Sequence, residues 1–157
     1  MAFLLTIVLL AQAAATTPAP PLSPIGYWQT ISDVTGQPQS IVQIYESHGK
    51  LFARVDKVLV TDGVPATCVK CRDDRKGTPL VGLVIMRNMR HAGDDYRDGD
   101  ILDPESGKVY RCRMTLDVTG QRLTVRGYIG ISLFGRSQVW HRVSGQNPNG
   151  LARGGAG

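Results

Sequence analysis

The segment Val109–Asp117, VYRCRMTLD, alternates between apolar and mostly polar side chains with a period of two residues. Successive side chains of a β-strand point to opposite faces of the sheet, so this pattern predicts a strand with one dry face and one mostly wet face. An amphipathic helix would instead repeat every 3.6 residues. The dry face carries Tyr110, Cys112, Met114 and Leu116.

Other segments repeat this pattern. Leu123–Ile129 places Leu123, Val125 and Ile129 on one face, and Leu51–Leu59 alternates less strictly. Glycine-containing turns separate such runs at 47–50, 103–108 and 118–121, where a hairpin needs a positive φ angle. The predicted strands lie near 26–32, 39–47, 50–60, 80–86, 100–102, 108–118, 121–131 and 136–143.

The chain shows no convincing capped amphipathic helix. About eight antiparallel strands in one domain must protect their edges, and closing the sheet removes the edges altogether. We therefore expect an all-β fold, a small antiparallel β-barrel of about eight strands, with a sandwich as the alternative. A barrel of that size is either filled by side chains or holds one small ligand.

The first residues have the layout of a secretory signal peptide. Residues 1–24 carry no Lys, Arg, Asp or Glu, and the apolar run Phe3–Leu10 precedes a small-residue cleavage region, AQAAA. A transmembrane anchor is the competing interpretation, but it needs ~20 apolar residues. We expect residues 1–15 to be removed, leaving a periplasmic or secreted protein with no transmembrane segment.

The rest of the chain divides by composition. Residues 16–24 form a Pro-rich flexible spacer, residues 25–143 the β-barrel domain, and residues 144–157 a disordered Gly-rich tail. The 157-residue chain has a formal net charge of +5, and its basic residues are dispersed rather than clustered. Because aromatic content is only 6%, we expect no nucleic-acid partner.

Glycine and tryptophan at the start of the first strand resemble the closure pattern of lipocalin-like barrels. Gly26 and Trp28 stand on the first predicted strand, and Trp140 and Arg142 stand on the last. The resemblance implies that Trp28 plugs one end of the barrel and that Arg142 lies across its ring, where a guanidinium gains a cation–π contact. The simpler alternative is that Trp28 is an ordinary core aromatic.

The wider pattern resembles the exported bacterial family called domain of unknown function 2147, over roughly Ile25 to Val143. This resemblance implies export, a lipocalin-like barrel and no established activity. It rests on the order and spacing of Gly26-x-Trp28, Thr35-Gly36, Cys68-x-x-Cys71, Pro79–Leu83, Gly99–Pro104, Gly107–Cys112, Val125–Gly130 and Trp140-x-Arg142.

The Cys68-x-x-Cys71 motif has three interpretations. A thioredoxin-like site needs a helix at the first cysteine, and the surrounding residues resemble a loop. A zinc site would need a second ligand pair, for which Cys112 and one histidine are available. A structural disulfide is the default in an oxidising compartment, so we expect Cys68 to pair with Cys71. Cys112 is then a buried thiol, although a bridge from Cys112 to the loop is an alternative.

The acidic stretch 93–100 is weakly similar to a calcium loop, but Tyr96 replaces one ligand and flanking helices are missing. We therefore expect a solvated hairpin loop and no metal. His48, His91 and His141 are scattered, and we expect each at the surface. No hydrolase, nucleotide-binding or metalloprotease motif is present, so we expect neither a cofactor nor catalysis.

These observations lead to three functional hypotheses. The first is a non-enzymatic carrier of a small apolar or amphipathic ligand, lined by the dry-face residues Tyr110, Met114, Leu116, Leu123, Val125 and Ile129. The second is an envelope scaffold with a filled core, which contacts another protein through loops 62–77 and 91–100. The third is a thiol-active protein centred on Cys68 and Cys71.

Overall fold

The structure is a computed structural model that describes residues 22–131, 133 and 135–143. The expected signal peptide and Gly-rich tail lie outside the described residues, as does the expected spacer before residue 22. The described residues contain no helix. The strands are β1 Gly26–Ile31, β2 Pro38–Ser47, β3 Lys50–Val58, β4 Val84–Ala92, β5 Asp95–Asp103, β6 Lys108–Leu116, β7 Arg122–Tyr128 and β8 Gly135–Arg142.

All eight strands pair in chain order into one closed antiparallel barrel. This confirms the predicted fold class and excludes the sandwich. The junction between the first and last strands is the shortest, because β1 pairs with β8 only through Trp28 opposite Arg142 and Gln29 opposite His141. The remaining part of this junction toward the end of β1 has no backbone ladder, so side chains must span it.

The connections differ between the two ends of the barrel. At one end, which we call the closed end, lie the turns 48–49, 93–94 and 117–121 together with the start of β1 and the end of β8. At the other end, which we call the mouth, lie the segments 32–37, 59–83, 104–107 and the described residues 129–131 and 133. Because the hairpins at the closed end are short, this end is sealed by the strands themselves and by residues 22–25, which precede β1.

Trp28 and Arg142 seal the closed end. Trp28 is fully buried, and its indole Nε1 donates a hydrogen bond to the Pro24 carbonyl at 2.8 Å. The Arg142 guanidinium lies 4.3 Å from the centre of the Trp28 ring. Its nitrogens donate to the carbonyl oxygens of Gly120 at 2.5 Å, Ile25 at 3.1 Å and Ser23 at 2.6 Å. One side chain therefore ties the entering segment to β8 and to the β6–β7 turn.

The close approach of Arg142 explains the glycine at position 26. Gly26 has a φ angle of +136°, and a Cβ atom there would lie 2.9 Å from Arg142 Nη1. Only glycine accepts both this backbone conformation and this proximity without strain.

Inward-facing side chains fill the closed half of the barrel. Met114, Leu123, Ile44 and Met89 have no accessible surface, and Trp140 is 1% exposed. These side chains are therefore part of the apolar core of the barrel. The full cluster on the inner face also includes Trp28, Val42, Leu51, Ala53, Val55, Met86, Cys112 and Val125.

A second, smaller apolar layer lies outside the barrel. Ile85 and Leu102 occupy the strand positions next to the inward-facing Met86 and Ile101, so they point outward, yet both are buried. The β3–β4 connection contacts this face: Arg75 donates to the Val84 carbonyl at 3.2 Å, and Asp74 forms an ion pair with Arg87. This connection therefore folds over the outer face of β4 and β5.

The predictions for β4 and β5 were wrong in extent. The strands near 80–86 and 100–102 are Val84–Ala92 and Asp95–Asp103, and most of the stretch 93–100, predicted as a solvated loop, is strand. Its acidic side chains lie on the outer face, where Asp95 accepts hydrogen bonds from Arg113 and Thr115. Positive φ angles at Asn88 and Asp98 interrupt the alternation that would have revealed the pairing.

Replacing Arg142 tests the closure. Arg142→Ala removes three hydrogen bonds from a charged donor and the cation–π contact, so we expect the free energy of unfolding to fall by about 2–4 kcal/mol in urea titrations. Arg122 on β7 is exposed, and its side chain forms no hydrogen bond or salt bridge in the part of the chain that the structure describes, so Arg122→Ala should change stability by less than about 0.5 kcal/mol. Equal effects of the two variants would contradict the role of Arg142.

Candidate functional site

The inner wall of the mouth half carries side chains that are only partly buried. Tyr110 on β6 and Ile101 on β5 are register partners, and both keep part of their surface accessible. Both approach Gly127 on β7: a Cβ atom there would lie 3.4 Å from Ile101 Cγ2 and from Tyr110 Cβ. The absence of a side chain at Gly127 thus lets Tyr110 and Ile101 pack close to the β7 backbone.

A polar group lies across the interior from this apolar wall. The hydroxyls of Thr30 on β1 and Ser40 on β2 are hydrogen-bonded at 2.8 Å. On β8, Trp140 Nε1 donates to Gln138 Oε1 at 3.2 Å, which places both residues on the same face of the strand. The inner surface of the mouth half therefore combines an aromatic and aliphatic side with hydroxyl and amide groups.

Asp33 spans the unpaired part of the β1–β8 junction. It follows β1 and accepts a hydrogen bond from Gln138 Nε2 at 3.0 Å. The same carboxylate forms an ion pair with Arg136 near the start of β8. Two side-chain contacts thus connect the strands where backbone pairing is missing, and they lie at the mouth.

Apolar side chains are exposed on two of the mouth loops. Val34 lies in the β1–β2 loop and is 87% exposed. Ile129, Ile131 and Leu133 lie in the β7–β8 connection, and each is more than half exposed. Clustered exposed apolar residues are a feature of binding surfaces, whereas single ones are common everywhere.

The structure separates the six residues predicted to line a ligand. Met114, Leu123 and Val125 are buried in the packed interior, and Leu116 lies partly buried at the closed end. Tyr110 lies in the mouth half with part of its surface accessible. The prediction of a dry face for Ile129 was wrong, because β7 ends at Tyr128 and the Ile129 side chain is 68% exposed.

The sequence analysis missed the polar residues of the mouth half. Thr30, Ser40 and Gln138 do not disturb the turn or strand signals, and small polar residues at inward positions resemble outward ones in a sequence. The signal that would have identified them is their spacing from inward-facing residues such as Trp28 and Trp140. Each stands two residues from an inward-facing residue on its own strand or on the paired strand, so its side chain points to the same face.

Cys68 and Cys71 are joined by a disulfide within the β3–β4 connection, and each is 1% exposed. Residues 69 and 70 form a turn and no helix follows Cys68, so the helix that activates a thioredoxin-like thiol is missing here. Cys112 is a buried free thiol, and burial raises its pKa to about 12. A thiol with that pKa is protonated at neutral pH and is a poor nucleophile.

Residues 68–77 of the β3–β4 connection, which we call the disulfide loop, contact the β5–β6 turn directly. Gly107 has a φ angle of +71°, and a Cβ atom there would overlap with the Lys70 carbonyl. Within the loop, Arg75 is 4% exposed and donates to both carboxylate oxygens of Asp73 and to the Val84 carbonyl. These contacts hold the loop against the barrel wall.

Metal binding has no support among residues 22–131, 133 and 135–143, which contain no group of three or more His, Cys, Asp or Glu side chains able to hold an ion. In the same part of the chain, no helix is long and apolar enough to cross a membrane.

An eight-stranded barrel with a tryptophan and an arginine sealing one end, and with longer loops at the other, is a lipocalin-like barrel. A similar fold is seen in protein HP1028 from the human pathogen Helicobacter pylori, described as belonging to the lipocalin family, with a TM-score of 0.68, 20% sequence identity, and coverage of 79% of this chain and 85% of that chain. The family described as "Uncharacterized protein conserved in bacteria (DUF2147)" matches residues 26–142, and this chain belongs to that family. Among curated proteins, none is significantly similar in sequence.

Gly107→Ala should weaken the packing of the disulfide loop against the β5–β6 turn. Gly49 provides a matched control, because its φ angle is +70° and a Cβ atom there meets nothing within 4 Å. We expect Gly49→Ala to lower the free energy of unfolding by about 1–2 kcal/mol for the left-handed backbone alone. Gly107→Ala should cost about 1–3 kcal/mol more because of the overlap. Equal losses in urea titrations would contradict the contact with Lys70.

The Asp73–Arg75 pair should make stability depend on acidic pH. Hydrogen bonds from Arg75 lower the pKa of Asp73 from 3.8 to about 2. The pair therefore stabilises the fold fully above about pH 4, and this contribution is lost as the pH falls toward about 2. Urea midpoints measured over that range should fall more steeply for the wild type than for Asp73→Asn. Asp62→Asn, at an exposed position, should keep the wild-type slope, and an unchanged slope in Asp73→Asn would contradict this assignment.

Proposed function

We propose that this protein is an exported, non-enzymatic barrel that binds one small apolar or amphipathic molecule in its mouth half. The observation that carries the proposal is the difference between the two halves of the interior. Met114 and Leu123 in the closed half have no accessible surface, whereas Tyr110 and Ile101 keep some. A ligand would therefore occupy the mouth half and stop at the packed layer below it.

The residues around this space indicate the chemistry of the ligand. Tyr110 and Ile101 offer an aromatic and an aliphatic surface, while Ser40 and Gln138 offer a hydroxyl and an amide. Small-molecule sites commonly combine a mostly apolar lining with a few polar groups that orient the ligand. A molecule with a short apolar part and one hydrogen-bonding group fits this lining.

Export is part of the proposal and rests on two features. Residues 1–15 have the composition of a signal peptide. The Cys68–Cys71 disulfide is of the kind that persists in oxidising compartments such as the periplasm. We propose a periplasmic or secreted location on these grounds.

A second candidate function is a protein-interaction barrel of the cell envelope. The exposed apolar side chains of Val34, Ile131 and Leu133 on the mouth loops favour it, because such groups are buried when a partner docks. In this alternative the partner covers the mouth and the interior carries no ligand.

Binding of N-phenyl-1-naphthylamine, a neutral apolar fluorophore, tests the proposed site. We expect saturable fluorescence enhancement with the wild type. Tyr110→Ser should weaken it by about tenfold because the aromatic wall is lost. Tyr110→Phe keeps the ring and should bind as the wild type does. Val118→Ser is the control, since Val118 is 92% exposed beside the closed end, and urea midpoints establish that each variant is folded.

Native mass spectrometry of the protein, purified from the periplasm of the cells that naturally make it, tests independently whether a ligand is bound. A reproducible small-molecule adduct supports the carrier and defines its cargo. A bare mass, together with probe binding that Tyr110→Ser leaves unchanged, would overturn the proposal in favour of the interaction barrel.

A further inference from the structure

We propose a second binding site on the outer surface of the barrel, which takes the carboxylate head and the first methylenes of an amphipathic anion. The site is a depression between the disulfide loop, the β5–β6 turn and the end of β7. It is lined by Arg72, Asp73, Gly107, Lys108, Val109 and Ile129.

The depression has the dimensions of a small-molecule site. Its volume is about 380 Å³, which lies within the range of roughly 300–1,000 Å³ found for ligand pockets. It is separate from the barrel interior, because Val109 precedes the inward-facing Tyr110 and therefore points to the outer face of β6. Occupation of one site does not require the other.

The charges around the depression favour an anion. Arg72 and Lys108 are exposed, and neither forms a salt bridge with any acid in the part of the chain that the structure describes. The one carboxylate in the lining, Asp73, is engaged by both the Nε and Nη2 atoms of Arg75. With Arg75 offsetting Asp73, Arg72 and Lys108 give the lining a net positive charge.

The two cations are carried by backbone segments that contact each other. Arg72 follows Cys71 of the disulfide, and Lys108 follows Gly107, whose Cα packs on the Lys70 carbonyl. The disulfide and this contact hold the two segments at a fixed separation. A site with such pre-organised groups loses less conformational entropy when a ligand binds.

The apolar part of the lining indicates that the remainder of the ligand is apolar. Val109 is 46% exposed and Ile129 is 68% exposed, and both adjoin the cations. Covering them removes apolar surface from water, which a simple inorganic anion cannot do. An alkyl carboxylate matches both features, because its head meets Arg72 and Lys108 while its chain covers Val109 and Ile129.

Titration with decanoate, followed by amide NMR shifts, tests the site. We expect saturable shifts at Arg72, Lys108 and Ile129, and an affinity that falls as salt is added. The double variant Arg72→Gln/Lys108→Gln should weaken binding by about tenfold. Lys50→Gln, at the start of β3 at the closed end, removes one positive charge far from the site and should bind as the wild type does. Decanol, which lacks the carboxylate, should bind at least tenfold more weakly, on the order expected for a lost charged contact.

Two results would overturn the proposal. The first is equal binding of decanoate and decanol at these residues, which would mean that the head group is not recognised. The second is decanoate binding that the double variant leaves unchanged. If decanoate shifts Tyr110 and Ile101 and responds only to Tyr110→Ser, the interior site stands and the outer site fails. The opposite pattern retains the outer site and rejects the interior one.

Discussion

The contact between Arg142 and Trp28 is the constraint on which the rest of the barrel depends. A sheet becomes a barrel only where its first and last strands meet, and here that junction has a short backbone ladder. A guanidinium is suited to this position because its planar fork reaches several carbonyl oxygens while its face lies on an indole. The bonds to Ser23, Ile25 and Gly120 lie at the closed end, where they hold the segment before β1 against β8 and the β6–β7 turn.

Sealing one end makes the two ends chemically different. Because the closed end is finished by Trp28 and a packed layer, the inner residues there are available only for stability. The mouth has the longer connections and the polar groups of Thr30, Ser40 and Gln138. The β3–β4 connection adds a third region, since it folds back over β4 and β5 and creates the outer depression with the β5–β6 turn. Both proposed sites thus lie away from the sealed end.

The sequence predicts β6 and β7 well because their alternation is regular, and it locates the closure because Gly26, Trp28 and Arg142 stand at the extreme strands. It fails for β4 and β5. Asn88 and Asp98 adopt positive φ angles, which shift the pairing register, and the charged side chains of β5 resemble a loop although they form ion pairs on the outer face. The sequence pattern of β5 alone does not reveal these ion-pair partners, because they lie on neighbouring strands.

The candidate site is harder to predict for a different reason. Alternation separates inward from outward positions, but it does not show which inward side chains leave space between them. Met114 and Tyr110 share one face of β6, yet Met114 is fully buried and Tyr110 is not. The difference comes from the neighbours on other strands and from the depth of each position in the barrel. The outer depression likewise depends on a long-range contact, that of Gly107 with Lys70.

The separation between the partners of Arg142 has a consequence for how the chain reaches its native state. Ser23 and Arg142 are 119 residues apart, so nearly the whole domain must be made before the first strand acquires its last neighbour. Contacts between residues so distant in sequence form slowly, because a long loop must close first. Until then β1 is an open edge able to pair with another chain. The barrel is consequently most vulnerable to aggregation while it is incomplete, and the arrival of β8 ends that period.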